Sequence, residues 1–189
     1  MPLQTRRTVL RAFAGAAAVT DKSAVATLKV TGGRILTCDT LAVSCIVGRT
    51  GVSHAKHEGD GATPAGSFPL RRLLYRPDKM SAPTTMLPSS PMTPTDGWCD
   101  DPADPAYNEM VHLPYRASHE ELWRPDELYD VLVVIGYNDA PVLPGLGSAI
   151  FLHVARPGMT GTDGCVGLLM PDLLKVVSQC GVGTVIDIS

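Results

Sequence analysis

Cys165 follows Gly158-Met159-Thr160-Gly161-Thr162-Asp163-Gly164 and precedes Val166-Gly167-Leu168. A thiol at that join between a glycine-rich loop and a short strand sits where a substrate carbonyl can approach closely. Peptide N–H groups there are free to face a developing oxyanion. His153 lies twelve positions earlier, at the end of the apolar run Ala149 to Val154, and Arg156-Pro157-Gly158 turns the chain back. The thiolate is the nucleophilic form, and a free thiol with a pKa of about 8.5 is mostly protonated at neutral pH, so a neighbouring imidazole that removes the proton activates it. Together, Cys165 and His153 point to a thiolate nucleophile activated by an imidazole. The Gly164 and Cys165 amides are candidates for the oxyanion site, with Thr162 and Asp163 supporting the loop. Taken singly, each has a plainer alternative: a small core cysteine and a hydrogen-bonded core histidine.

Other chemistry-bearing residues carry weaker signals. Arg156, just after the strand, can clamp a carboxylate bidentately or serve as a surface ion pair. Tyr137 and Asn138, at the end of an apolar run, are candidates for lining a substrate groove. His54 and His57 have a His-x-x-His spacing, but a loop without a third ligand favours solvated histidines over a metal site. His119-Glu120-Glu121 reads as the start of a short helix. Trp98 and Trp123 lie in polar loops, where an indole either packs on the sheet or stacks on a sugar ring. The five cysteines, at 38, 45, 99, 165 and 180, contain no C-x-x-C pair, which argues against a zinc knuckle. Cys38 and Cys45 could oppose one another on a hairpin.

The elements that must position these groups are mostly strands. Thr27 to Thr31, Gly32-Gly33 and Arg34 to Cys38 form the pattern of a tight hairpin, and Leu41 to Val47 continues it. Residues 48–66 hold five glycines and read as a long loop, after which Phe68 to Tyr75 is extended again. Seven prolines between Pro77 and Asn108 nearly exclude regular structure and suggest a lid or flank of a groove. The continuous apolar run Val131 to Ile135 suits a strand covered on both faces. One helix is expected from about Pro171 to Cys180, and Thr184 to Ile188 closes the chain as a strand. The expectation is a mostly β, mainly antiparallel assembly with a helix packed against it, built on one core.

Two ordered stretches carry a family resemblance. His153 followed by Thr162-Asp163-Gly164-Cys165 resembles the strand histidine and Ser/Thr-His-Gly-Cys loop of the L,D-transpeptidase catalytic domain, the YkuD family. Thr63-Pro64-Ala65-Gly66-Ser67-Phe68 is similar to the Thr-Pro-x-Gly-x-Phe segment that precedes the catalytic strands in that family, and Ile135-Gly136-Tyr137-Asn138-Asp139 is similar to a bacterial branch of it. The resemblance covers about residues 27–189. It implies a β-sandwich of mainly antiparallel strands with one or two short helices and a Pro-rich loop. It also implies a Cys165 nucleophile with a His153 base, peptidoglycan stem peptides as partners, and neither metal nor organic cofactor. The implied reaction is stem-peptide cross-linking of the 3-3 type, with a 1-3 link as a variant. Competing readings are an L,D-carboxypeptidase or cysteine amidase on wall peptides, and an inactive wall-binding module. The sequence departs from the pattern at Asp163, where histidine is usual, at Val166-Gly167, and in its shorter histidine-to-cysteine spacing. An Asp163 carboxylate beside the site is expected to steady an imidazolium on His153.

At the scale of the chain, 189 residues with 44% hydrophobic and 19% charged content suffice for one folded domain and fit neither a disordered tail nor a repeat array. A net charge of -3 without a basic run argues against nucleic acid, whose binding requires Lys and Arg to displace counterions. Arg6-Arg7 followed by Val9-Leu10-Arg11 and the apolar Ala12 to Val19 resembles a twin-arginine export signal, so residues 1–26 are expected to be a signal or extension. The expected address is the periplasm or cell envelope. Nothing after residue 26 is long and apolar enough to span a bilayer, and nothing in the sequence sets an oligomeric state.

Overall fold

The computed structural model describes residues 24–189, so nearly all of the expected export segment lies outside the described residues. The chain opens with β1 (Thr27–Thr31) and β2 (Ile35–Cys38), joined through Gly32 and Gly33 at φ 58° and 63°, the left-handed region that glycine enters without cost. Then come β3 (Leu41–Ser44), the two-residue strands β4 (Val52–Ser53) and β5 (Thr63–Pro64), the long β6 (Gly66–Tyr75), and β7 (Ser89–Pro91). A separate three-stranded sheet is made by β8 (Asp96–Cys99), β9 (Met110–His112) and β10 (His119–Glu121), in the order β10-β8-β9. β11 (Val131–Ile135), β12 (Phe151–Ala155), β13 (Val166–Leu169), α1 (Met170–Val177) and β14 (Val185–Ile188) complete the fold.

The large sheet runs β13-β12-β11-β6-β14-β1-β2-β3 and is mixed. Antiparallel pairings prevail, while β1 with β14 and β12 with β13 are parallel. Its two ends meet, because Ile46, just past β3, exchanges backbone hydrogen bonds of 2.9 and 2.8 Å with Gly167 of β13. The sheet therefore curls around one core of Leu28, Val30, Leu36, Val133, Leu152 and Ile186, with α1 contributing Leu173, Val176 and Val177.

A second apolar cluster fills the opposite face of β11 and β12, under the three-stranded sheet, and contains Trp98, Leu122, Tyr129, Leu132, Phe151 and Cys165. This explains the continuous run in β11: Val131, Val133 and Ile135 enter the inner core, and Leu132 and Val134 the outer cluster. The same alternation sends Leu152 and Val154 of β12 inward and Phe151 outward, with His153 on the Phe151 side.

Three local expectations, for residues 119–121, the Pro-rich segment and the helix end, are corrected, and the open pairing of Cys38 with Cys45 is decided. His119-Glu120-Glu121 is strand β10 rather than a helix start, since it pairs antiparallel with β8 through Cys99, Trp98 and Gly97. Within the Pro-rich segment, β7 and β8 form despite the prolines: β7 is a fully exposed edge strand, where a missing N–H costs nothing, and β8 contains no proline. Cys38 and Cys45 do not pair. The tight β2-β3 turn sets Cys38 opposite Leu41, whereas Cys45 lies beyond β3 and donates its amide to Arg34 O at 2.8 Å, and both thiols are free and buried. The helix ends at Val177, three residues before its expected end, with Pro171 and Asp172 in its first turn.

Candidate active site

The parallel register of β12 and β13 sets Leu152 beside Val166 and His153 beside Gly167. Cys165, one residue before β13, therefore stands next to Phe151 and on the same face as His153, two residues further along β12. Both side chains line one cavity of about 670 Å³. The structure thus brings the two principal candidates together.

The sulfur is held from below. The Phe151 amide donates to Cys165 Sγ at 3.3 Å, and the thiol donates to Ala149 O at 3.2 Å. Burial, and then the charge of Glu120, push the thiol up to about 12, opposed by the Phe151 amide and the Lys56 cation. His153 is 3% exposed, and its Nδ1 lies 2.7 Å from Val154 O. A carbonyl can only accept, so Nδ1 carries the proton and Nε2 keeps a lone pair. Burial holds the imidazole below its ordinary pKa, and the charges that act on it are those of Arg124 and Asp126. Burial thus disfavours the charged form of both groups. Tyr129 sets its ring edge against His153, with centroids 5.4 Å apart.

The loop before Cys165 is fixed by two threonines. Thr162 Oγ1 donates to Cys165 O at 2.6 Å and accepts from the Gly164 amide at 3.2 Å. Thr63, in the Thr-Pro-x-Gly-x-Phe segment, donates to the same carbonyl at 3.3 Å and itself accepts from the Gly48 amide at 2.8 Å. The two stretches that carried the resemblance therefore meet at one carbonyl. Gly164 has φ 138°, and a Cβ there would lie 2.9 Å from Ala62 O, so glycine is needed for both conformation and space.

Asp163 lines the cavity with its side chain 88% exposed and paired to Arg49, and its charge is not among those that act on His153. The expected partnership with an imidazolium gives way to a surface ion pair because the loop turns this side chain outward. Arg156 is exposed and does not line the cavity. Tyr137 and Asn138 are also elsewhere. Tyr137 donates its hydroxyl to Leu146 O at 2.6 Å, and Asn138, at φ 49°, uses its amide to fasten Leu143 and Gly147. They brace the loop over residues 138–147, and Tyr137 lines a different cavity of about 450 Å³. His54 and His57 are exposed. Both indoles pack: Trp98 donates to Asn108 Oδ1 at 3.0 Å and meets Phe151 edge-on, and Trp123 lies under the Arg76 guanidinium at 3.8 Å.

Several cavity residues went unforeseen. Arg49, Arg124, Glu58, Asp100, Glu120 and Tyr129 all line it. Lys56, between the two exposed histidines, is buried and paired with Asp60 at 2.6 Å. The Lys56–Asp60 spacing of four residues in a glycine loop was the one available signal.

A mostly β fold with one open cavity lined by both a thiol and an imidazole defines a class of candidate thiol-dependent acyl-transfer proteins. The family model of the L,D-transpeptidase catalytic domain, YkuD, matches residues 16–188, nearly the whole chain, and the chain belongs to that family. It is thereby a member of an enzyme family that acts on peptidoglycan peptides. No curated protein and no solved structure matches the sequence. Among the described residues, no helix is long and apolar enough to cross a membrane.

Proposed function

We propose that the protein is a cysteine L,D-transpeptidase that joins peptidoglycan stem peptides by 3-3 links. The observation that carries this reading is the cavity shared by Cys165, just before β13, and His153 of the parallel neighbour β12, on the same sheet face. Cys165 Sγ attacks the carbonyl between an L-centred and a D-centred residue while His153 Nε2 takes the thiol proton. Concerted transfer suits a site in which burial disfavours the charged form of both groups, since no isolated thiolate has to form there. The Cys165 amide is the candidate donor to the oxyanion, the Gly164 amide being engaged by Thr162. His153 then protonates the departing D-amino acid, and an amine of a second stem takes the acyl group from the thioester. The cell envelope is the corresponding place of work, with residues 1–26 as a twin-arginine export signal.

Incubation with a purified tetrapeptide-bearing muropeptide, followed by mass spectrometry, tests the proposal. The expected product is a 3-3 dimer with loss of the terminal D-residue, absent with Cys165→Ala. Tripeptide alone means carboxypeptidase or amidase action, and a 1-3 dimer means a different acceptor bond. No product from the wild type leaves a wall-binding module.

A further inference from the structure

The acceptor amine arrives as an ammonium, because an alkylamine with a pKa of about 10 is protonated at neutral pH. Forming an amide removes two protons from it. One returns to the sulfur through His153, and the other requires a second acceptor. Glu120 lines the same cavity as Cys165 and His153, entering from β10. Its carboxylate accepts from the Tyr129 hydroxyl at 2.6 Å, and Tyr129 in turn abuts the His153 ring. Among the described residues Glu120 forms no ion pair: Arg124, whose charge reaches it, gives its Nε and Nη2 to Asp126 at 2.9 and 2.8 Å. The other charges that face Glu120 are carboxylates, Asp100 and Glu58. Glu58 is satisfied by Tyr107 and Ser148. Asp100 is not: its Oδ1 is enclosed without a hydrogen-bond partner among the described residues, and the residue lines this cavity. A carboxylate that lines the cavity with no cation paired to it among the described residues attracts a cationic ligand.

We infer that Glu120 takes the first proton from the incoming ammonium, with Asp100 receiving the cation on entry and Tyr129 positioning the carboxylate. The inference rests on the reading of Cys165 as the acyl carrier. An ammonium gives a proton to the Glu120 carboxylate, leaving a neutral amine and a carboxylic acid. The nitrogen lone pair attacks the thioester carbon, the C–N bond forms and the C–S bond breaks with its electron pair on sulfur. The surplus proton on nitrogen passes by way of His153 to the sulfur and restores the thiol, and Glu120 releases its proton to solvent. Burial raises the proton affinity of Glu120, which narrows the gap to the amine.

Two readouts on the full chain test this: alkylation of Cys165 by iodoacetamide, and the rate of dimer formation from the tetrapeptide muropeptide as a function of pH. Glu120→Gln removes a negative charge near the sulfur, so alkylation at pH 7 becomes faster. Transfer at pH 7 falls at least tenfold and recovers as the pH approaches the pKa of the amine. A partly unfolded site would also expose the thiol and speed its alkylation, so the recovery of transfer at high pH, which an unfolded site cannot give, separates the two. Glu120→Asp restores part of the transfer at pH 7. Should Glu120→Gln fail to fold, Tyr129→Phe decides, with lower transfer at pH 7 and the same recovery at high pH. A transfer profile that coincides with the wild type in the deciding variant overturns the inference. A wild type that forms no Cys165 thioester overturns the reading of Cys165 instead.

Discussion

Cys165, just before β13, and His153 of β12 lie on one face, and burial disfavours the charged form of each. A preformed thiolate–imidazolium pair would make the alkylation rate level off near neutral pH. Here the fold raises the pKa of the thiol, an acid, so the thiolate is scarce at pH 7 and grows about tenfold with each pH unit until the pH nears the thiol's own value. Iodoacetamide labelling of Cys165, followed by mass spectrometry between pH 6 and pH 10, is expected to accelerate throughout without a plateau. A plateau near pH 6 to 7 would show that the resting site is an ion pair. The two candidate residues were legible as residue types with a spacing. The neighbours that set their protonation were not: Glu120 is 45 positions from Cys165 in sequence and Lys56 more than a hundred, and only strand pairing brings their charges to bear.

Among the elements, the segment around β5 and the loop before β13 are clamped together by Thr63 and Thr162 on the Cys165 carbonyl. The clamp depends on close backbone contact at Gly48, where a Cβ would stand 2.3 Å from Gly61 O and 2.7 Å from the Thr63 amide. Backbone cannot yield as a side-chain tip can, so Gly48→Ala must push β5 away from the loop. The expected cost is about 2 to 3 kcal/mol by urea unfolding, the upper range for an inserted methyl group, together with loss of muropeptide transfer. Unchanged stability would mean that the contact is slack. The hairpin, β11, β12, β14 and the helix start were all readable from glycine placement and apolar runs. β8 and β10 were hidden because proline counts and acidic residues describe the segment's average, while their pairing is decided by Trp98 and Leu122 sinking into the outer cluster.

For the molecule as a whole, all five cysteines are buried and free, so no covalent staple ties the curled sheet, and closure rests on the Ile46–Gly167 bridge and the two apolar clusters. The melting temperature is therefore expected to be the same with and without a thiol reductant, and the denatured chain should titrate five thiols. Fewer than five thiols, or a melting point lowered by reductant, would contradict this arrangement. Sequence alone determined the mostly β character, the candidate thiol and imidazole, and the two stretches that carry the family resemblance, because these follow from local periodicity and from residue types in order along the chain. Which charges surround the sulfur, which arginines reach the cavity, and that Arg156, Tyr137 and Asn138 do not, only the tertiary structure decided. Those outcomes depend on the register and curl of strands far apart in the chain, and a one-residue change in pairing would turn each of those side chains to the opposite face.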